Sequence, residues 1–184
     1  MTVVIEDAVS SPAVRPHSGQ PASTLWSVAP AHPGDRPALA DLFTACSPET
    51  IRLRFFGRLR AWPRDYLDGA LAGPPEQHDS VVAYRSGRTH LLGMASLATP
   101  CDAGPDVGEL GVLVADPWQR QGVGTAMLEL LLTRARARGL ERVAASVMPG
   151  RPRLLAALAQ RLEADGALRA RDGLTGIYKL TRRP

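Results

Sequence analysis

Glu109 to Leu128 reads ELGVLVADPWQRQGVGTAML, and this is the most regular part of the chain. The apolar residues from Glu109 to Val114 predict a strand, and Pro117 marks a short loop after it. Apolar side chains then recur at helical spacing, which predicts an amphipathic helix over Val123–Arg138. The unit is therefore a strand, a loop and a helix, with two glycines where the loop passes into the helix.

These glycines, Gly122 and Gly124, predict an anion-binding turn. A helix start leaves N–H groups without carbonyl partners, its dipole is positive at that end, and glycine keeps side chains away from a ligand. A diphosphate is the natural ligand. Two familiar glycine loops do not fit, because no Gly-Lys-Ser/Thr follows, as a P-loop requires, and Met127 stands where a dinucleotide-binding fingerprint has its third glycine.

The spacing of Gln119, Gly122 and Gly124 matches the Q/R-x-x-G-x-G/A signature of the GNAT family of acyl-CoA N-acyltransferases, which this sequence resembles. The order of predicted elements from Leu25 to Thr181 is similar to the whole family fold. Upstream, SPETIRLRFFGRL from Ser47 to Leu59 resembles a helix of the bacterial protein-lysine acetyltransferases in this family. The resemblance implies an α+β (mixed α/β) fold, with a central, mostly antiparallel twisted sheet flanked by helices.

The resemblance also implies how acetyl-CoA, the acyl donor, would bind. Its diphosphate would meet the backbone amides of residues 121–125 in the glycine loop, by which we mean residues 119–125, with Arg120 nearby to balance charge. Its pantetheine arm would pair with the strand backbone at 113–115, and the N–H of Val114 would stabilise the oxyanion that develops on the thioester carbonyl. The predicted donor-binding residues are Leu113, Val114, Gln119, Arg120, Gln121, Gly122, Val123, Gly124 and Thr125. Arg151 or Arg153 is a further candidate for the ribose phosphate.

Glu109 is the candidate general base. A lysine amine with a pKa of about 10.4 is only about one part in a thousand neutral near pH 7.4, so a base that takes its proton assists attack on the thioester. Glu109 aligns with the glutamate that lysine acetyltransferases of this type use, although Gly108 and Gly111 stand where that pattern has alanines. The alternative interpretation is a solvent-facing glutamate at a strand end.

A general acid is harder to find. Many relatives carry a tyrosine on the helix equivalent to Arg153–Ala164, and this chain has none there. The resulting hypothesis is an N-acetyltransferase that acts by direct attack in a ternary complex, without a metal, on a protein lysine. The alternatives are a small-molecule amine as acceptor, or a non-catalytic acyl-CoA-binding or protein-interaction module of the same fold.

The amino-acid composition limits the class of protein and the cellular setting expected for it. The 184 residues carry a net charge of +4 and 45% apolar residues, which excludes a disordered chain. Residues 1–23 are predicted to be a flexible leader, and residues 24–184 one domain. No apolar run approaches the length of a membrane-spanning helix. Cys46 and Cys101 are too few for a disulfide scaffold, so a reducing, cytoplasmic setting is expected.

Arginines at positions 52, 54, 58 and 60 suggest nucleic-acid binding, but their spacing spreads them around a helix. A solvated face, or a rim for an acidic acceptor, is predicted instead, with no nucleic-acid partner. The four histidines show no metal-ligand spacing. The sequence leaves a monomer and a homodimer both open.

The remaining patterns predict the elements around this unit. Strands are predicted at Leu25–Val28, Val81–Tyr84, Leu91–Leu97 and Arg142–Val147. Helices are predicted over Arg36–Ala45 with Asp35 as its cap, from Ser47 to Phe55, over Pro63–Leu71, and over Arg153–Ala164 with Gly166 at its end. Ala167–Arg171 and Gly176–Thr181 are predicted to close the chain as a hairpin.

Overall fold

The computed structural model describes residues 26–86, 90–149, 155, 158–170 and 173–180. Predictions made for other residues, including the leader and both arginines proposed for the ribose phosphate, lie outside this part. The strands are β1 (Trp26–Pro30), β2 (His78–Arg85), β3 (Leu91–Ala98), β4 (Val107–Val114), β5 (Arg142–Val147), β6 (Glu163–Ala170) and β7 (Gly173–Lys179). The helices are α1 (Arg36–Ala45), α2 (Pro48–Phe55), α3 (Arg64–Ala72) and α4 (Val123–Ala137).

The seven strands form one sheet in the order β1-β2-β3-β4-β5-β7-β6. All neighbours are antiparallel except β4 and β5, which run parallel. This parallel pairing extends only from Val107 opposite Arg142 to Glu109 opposite Ala144, although β4 continues to Val114. The strands therefore part beyond Glu109, and the predicted α+β fold is confirmed with an opening in its centre.

The two faces of β4 belong to different cores. Leu110 and Val112 lie in the cluster beneath α4, whereas Leu113 lies in the cluster beneath α1 and α3. Because side chains alternate along a strand, Glu109 and Gly111 share the second face with Leu113. The candidate base therefore lies on the opposite face of the sheet from α4.

A buried carboxylate anchors α4 to the sheet. The side chain of Asp79 in β2 is 3% exposed, and Arg134 donates to both of its oxygens, with Nε 2.9 Å from Oδ2 and Nη2 2.9 Å from Oδ1. Arg138 donates to the same carboxylate. These arginines suit the negative end of the helix dipole, and they also fix the helix that begins at the glycine loop. In the described ranges, no helix is long and apolar enough to span a bilayer.

Helix starts follow the predictions in one case and not in another. Ser47 caps α2, since its Oγ accepts the N–H of Thr50 at 3.2 Å. Asp35 precedes α1, but the prediction that it caps this helix is wrong: its carboxylate accepts the N–H of His32 at 2.8 Å. The reason is local, because Asp35 already has helical dihedrals within a 3-10 turn, whereas a capping residue is extended.

The end of the chain corrects another prediction. The helix predicted to reach Ala164 stops earlier, because β6 begins at Glu163. Gly166 lies inside β6, at a shift of register against β7, and does not end a helix. Pairing with the edge of β7 outweighs the local helical pattern. The helical spacing of this segment predicts four inward side chains, at 155, 158, 159 and 162: the three leucines are buried, whereas Ala159 is exposed. The predicted terminal hairpin is confirmed with longer strands.

Candidate active site

The glycine loop presents unpartnered backbone amides. Gly122 precedes α4 with φ of +83°, a left-handed conformation that favours glycine, and no side chain caps the helix. The first turn is closed by the N–H of Ala126, which donates to Gly122 O at 3.0 Å. The N–H groups of Val123, Gly124 and Thr125 precede that bond and have no partner within the helix. Such a turn suits an anion of the size and charge of a diphosphate.

Gly124 is not required by the fold itself. A Cβ added there would lie 3.6 Å from Val114 Cγ2 and 3.8 Å from Val112 Cγ1, which are ordinary contacts. Its backbone does not adopt a left-handed conformation either, unlike Arg120 and Gly122. The absent side chain therefore serves to leave the amides accessible, and the same distances place the loop against the end of β4.

The backbone of Val114 is turned toward the opening of the sheet. The N–H of the next residue, Ala115, donates to Leu92 O in β3 at 2.9 Å. Because residues of an antiparallel strand alternate between neighbours, Val114 directs its own N–H away from β3, to the side that β5 leaves after Ala144. Leu113, predicted beside it, pairs with Met94 and directs its polar groups at β3.

The side chains of the loop's two glutamines are held within the protein. Gln119 Nε2 donates to Val114 O at 3.1 Å and to Thr50 Oγ1 at 3.3 Å. Gln121 Nε2 donates to Pro117 O at 2.7 Å. The structure therefore brings the loop at 119–124 against Val114, and it places the Gln119 amide nitrogen on the end of β4.

Asp116 connects this loop to α2, a link that the sequence analysis missed. Its carboxylate accepts the N–H and the Oγ–H of Ser47, each at 2.8 Å, and the Oγ1–H of Thr50 at 2.9 Å. Burial raises the pKa of Asp116, but these hydrogen bonds outweigh burial and hold that pKa below its ordinary value. Asp116 lies 69 positions after Ser47 and 66 after Thr50, so only the spacing of Ser47 and Thr50 as a helix start is visible in the sequence.

Glu109 lies where β4 and β5 begin to part. It is half-buried, and Ala144 is its partner in the last parallel pair. Burial raises the pKa of Glu109 above its ordinary value, and Asp102 raises it further, whereas Arg54 lowers it. A carboxyl group whose pKa is raised toward neutrality is a better proton acceptor than an exposed one.

Arg54 contradicts the prediction of a solvated arginine face. It is 2% exposed, and its Nη2 donates to Tyr66 Oη at 2.9 Å and to Ser96 Oγ at 3.4 Å. The guanidinium lies beside Gly111, where an added Cβ would be 2.0 Å from Nη2. Because Gly111 has no side chain, the space beside it can hold the guanidinium of Arg54. The spacing of arginines along the sequence does not reveal this.

We expect Gly111→Ala to lower the free energy of unfolding by about 2 kcal/mol, because the methyl group displaces a buried guanidinium from its hydrogen bonds. Urea denaturation measures the loss. Gly57→Ala is the matched control, since an added Cβ there meets only Phe55 O at 3.8 Å. Equal loss of stability in the two variants would contradict this packing.

The tyrosine hydroxyls are engaged elsewhere. Tyr178 donates to Leu155 O at 2.8 Å, and burial raises the pKa of Tyr178 to about 12. Tyr66 donates to Ser96 Oγ at 2.8 Å, and Tyr84 donates to the carboxylate of Asp35. No group of His, Cys, Asp or Glu side chains among the described residues is arranged to hold a metal ion.

Comparison with known proteins identifies relatives of this architecture. The Acetyltransferase (GNAT) family matches residues 36–167 of the chain. The GNAT domain of S. lividans PAT superposes with a TM-score of 0.70 at 22% identity, covering 83% of this chain and 89% of that one. No curated protein matches the chain in sequence.

Two further solved structures have the same fold. A GCN5-related N-acetyltransferase from Kribbella flavida gives a TM-score of 0.62 at 17% identity, covering 84% of this chain and 96% of that one. The ribosomal-protein-S18-alanine N-acetyltransferase from Escherichia coli gives 0.59 at 16% identity, covering 86% and 96%.

Proposed function

Since the chain belongs to the GNAT family of N-acetyltransferases, which take acetyl-CoA as acyl donor, we propose that its acceptor is a lysine side chain of a protein. The acetyl group passes directly from the thioester to the amine in a ternary complex. The observation that carries this proposal is the placement of uncapped amides at the start of α4 beside Val114, whose N–H faces the opening between β4 and β5.

The donor's diphosphate fits the first turn of α4. The N–H groups of Val123, Gly124 and Thr125 supply donors there, and Gly124 leaves them uncovered. Arg120 adds positive charge in the same loop. The pantetheine arm follows the free side of β4, where Val114 has the only backbone N–H of residues 113–115 that is directed away from β3.

Two groups of this chain assist the transfer. Glu109 accepts the proton that the attacking amine loses as its nitrogen forms the new C–N bond. The N–H of Val114 donates to the thioester oxygen as negative charge grows on it. The C–S bond then breaks, and the sulfur leaves as a thiolate, which is a tolerable leaving group even without a dedicated tyrosine acid.

A protein lysine as acceptor is supported by the segment Ser47–Leu59, which resembles a helix of bacterial protein-lysine acetyltransferases. The contacts of this segment support the proposal, since Thr50 donates to Asp116, which lies just before the glycine loop, and Arg54 lies beside Gly111 in β4. A small-molecule amine is the alternative acceptor. The free thiols of Cys46 and Cys101 suit the cytoplasmic setting proposed for the reaction.

Release of free CoA from acetyl-CoA tests this function. The purified chain is assayed with a lysine-containing peptide, a peptide with a free α-amine but no lysine, a polyamine and free amino acids. We expect thiol release with the lysine peptide, with acetylation of the lysine located by tandem mass spectrometry. Tight binding of acetyl-CoA without release on any amine would instead identify a non-catalytic binding module.

A further inference from the structure

We propose that Gln119 is a positioning residue, which acts with Thr50 and Asp116 to fix the peptide group of Val114 for acyl transfer. This inference rests on the proposed function, since Val114 is there the donor to the thioester oxygen. We call Ser47, Thr50, Asp116 and Gln119 the polar latch. In the latch, the Gln119 side chain holds the strand end, whereas the sequence predicts Gln119 only as one of the residues that bind the acetyl-CoA donor.

The peptide group between Val114 and Ala115 is held from both sides. Its carbonyl oxygen accepts from Gln119 Nε2 at 3.1 Å, and its N–H donates to Leu92 O at 2.9 Å. The preceding residue, Leu113, is paired with Met94 in the antiparallel ladder. Both peptide groups that flank the Val114 Cα are therefore restrained, and so is the direction of the Val114 N–H.

The chemistry of the contact determines which end of the Gln119 amide faces β4. A carbonyl oxygen only accepts hydrogen bonds, so the group that meets Val114 O must be the nitrogen. The second hydrogen of that nitrogen is directed at Thr50 Oγ1 at 3.3 Å. With both hydrogens directed at protein oxygens, the amide has no donor left for a phosphate in this conformation.

Asp116 orients the hydroxyl on which Gln119 depends. Thr50 Oγ1 donates its hydrogen to Asp116 Oδ1 at 2.9 Å, so its lone pairs face Gln119. Ser47 adds two donors at 2.8 Å to the same carboxylate. Asp116 lies three residues before Gln119, and its negative charge disfavours an anion bound beside it. The hydrogen bonds to α2 account for the presence of a carboxylate at this position.

Helix α2 connects the donor-binding side of the proposed site to the side that carries Glu109. At one end of α2, Ser47 and Thr50 hold the loop whose backbone amides are proposed to bind the diphosphate. At the other end, Arg54 occupies the space beside Gly111, two residues from Glu109 on the same face of β4. A shift of α2 would therefore be transmitted to the Val114 peptide through Thr50 and Gln119.

Gln119→Met tests the assignment, because it keeps the length of the side chain and removes both donors. A misplacement of a reacting group by about 1 Å can cost about 100-fold in rate. For the loss of the hydrogen bond to Val114 O, we expect kcat to fall about tenfold. The Kd for CoA, measured by calorimetry, should change by less than about threefold. Gln119→Arg should restore much of the lost kcat, because a guanidinium can also donate to Val114 O.

A second pair of variants tests the link through Thr50. Thr50→Val removes the hydroxyl that Asp116 orients, and we expect kcat to fall with little change in the Kd for CoA. Thr133→Val is the matched control, since the Thr133 hydroxyl only donates to Glu129 O within α4, at 2.8 Å. It should leave both constants unchanged.

The outcomes separate this inference from the proposed function. Weakened CoA binding with unchanged kcat at saturation in Gln119→Met would overturn the inference and leave Gln119 as a donor-binding residue. If the wild-type chain acetylates no amine, the proposed function fails, but amide exchange still tests the latch. Exchange at the Ala115 N–H should then be about tenfold faster in Gln119→Met than in wild type, and equal rates would overturn the inference.

Discussion

Replacing Gly124 by aspartate is expected to abolish acetyl-CoA binding while the fold persists. The backbone at 124 is not left-handed, and an added Cβ would make only ordinary contacts, the nearest at 3.6 Å to Val114. A carboxylate in the first turn of a helix is favourable for the helix dipole, so α4 should not be weakened. The same carboxylate would cover the amides of Val123 and Thr125 and repel the diphosphate.

The expected loss is large because like charges meet at short range. Two like unit charges about 4 Å apart near a protein surface repel each other by about 4 kcal/mol, so we expect the affinity for CoA to fall by at least about 100-fold. Calorimetry with CoA measures the loss, and a thermal melt verifies the fold. Gly124→Ala is the control, since it adds the Cβ without the charge and should bind within about fivefold of wild type. Unchanged affinity in Gly124→Asp would refute the diphosphate site.

Glu109→Gln is expected to lower kcat/KM for a lysine acceptor by about 100-fold near neutral pH, within the usual contribution of a general base. The loss should shrink as pH rises, because the free-amine fraction of lysine grows about tenfold per pH unit below its pKa. The measurement is a pH profile of kcat/KM for both forms. Glu129→Gln, which changes an exposed glutamate on α4, is the matched control and should behave as wild type.

The acid side of that profile carries a second signature. A general base works in its ionised form, so wild-type activity should fall as pH decreases through the pKa of Glu109. Because burial raises that pKa, the fall should occur at a higher pH than for an ordinary glutamate. Glu109→Gln should lose this limb. If the variant keeps both the rate and the limb, another group accepts the proton.

Much of the fold could be predicted from local patterns. Strands and helices from α2 to β5 are near their expected positions, because apolar periodicity and helix-start residues such as Ser47 act over short distances. The start of β6 could not be placed in this way, since Ala164 and Gly166 follow the pattern of a helix and its end, yet both lie in β6. Their conformation depends on pairing with β7, and local propensity does not contain that information.

The same division applies to the candidate site. The glycines at 122 and 124, their position at a helix start, and the strand before them are properties of consecutive residues, so local sequence is enough to predict where an anion would meet the backbone. Folding alone brings Arg54 to its buried position beside Gly111 and lets Asp116 and Gln119 join α2 to Val114. Side chains on separate elements meet where packing brings those elements together, and no spacing along one chain records such a meeting.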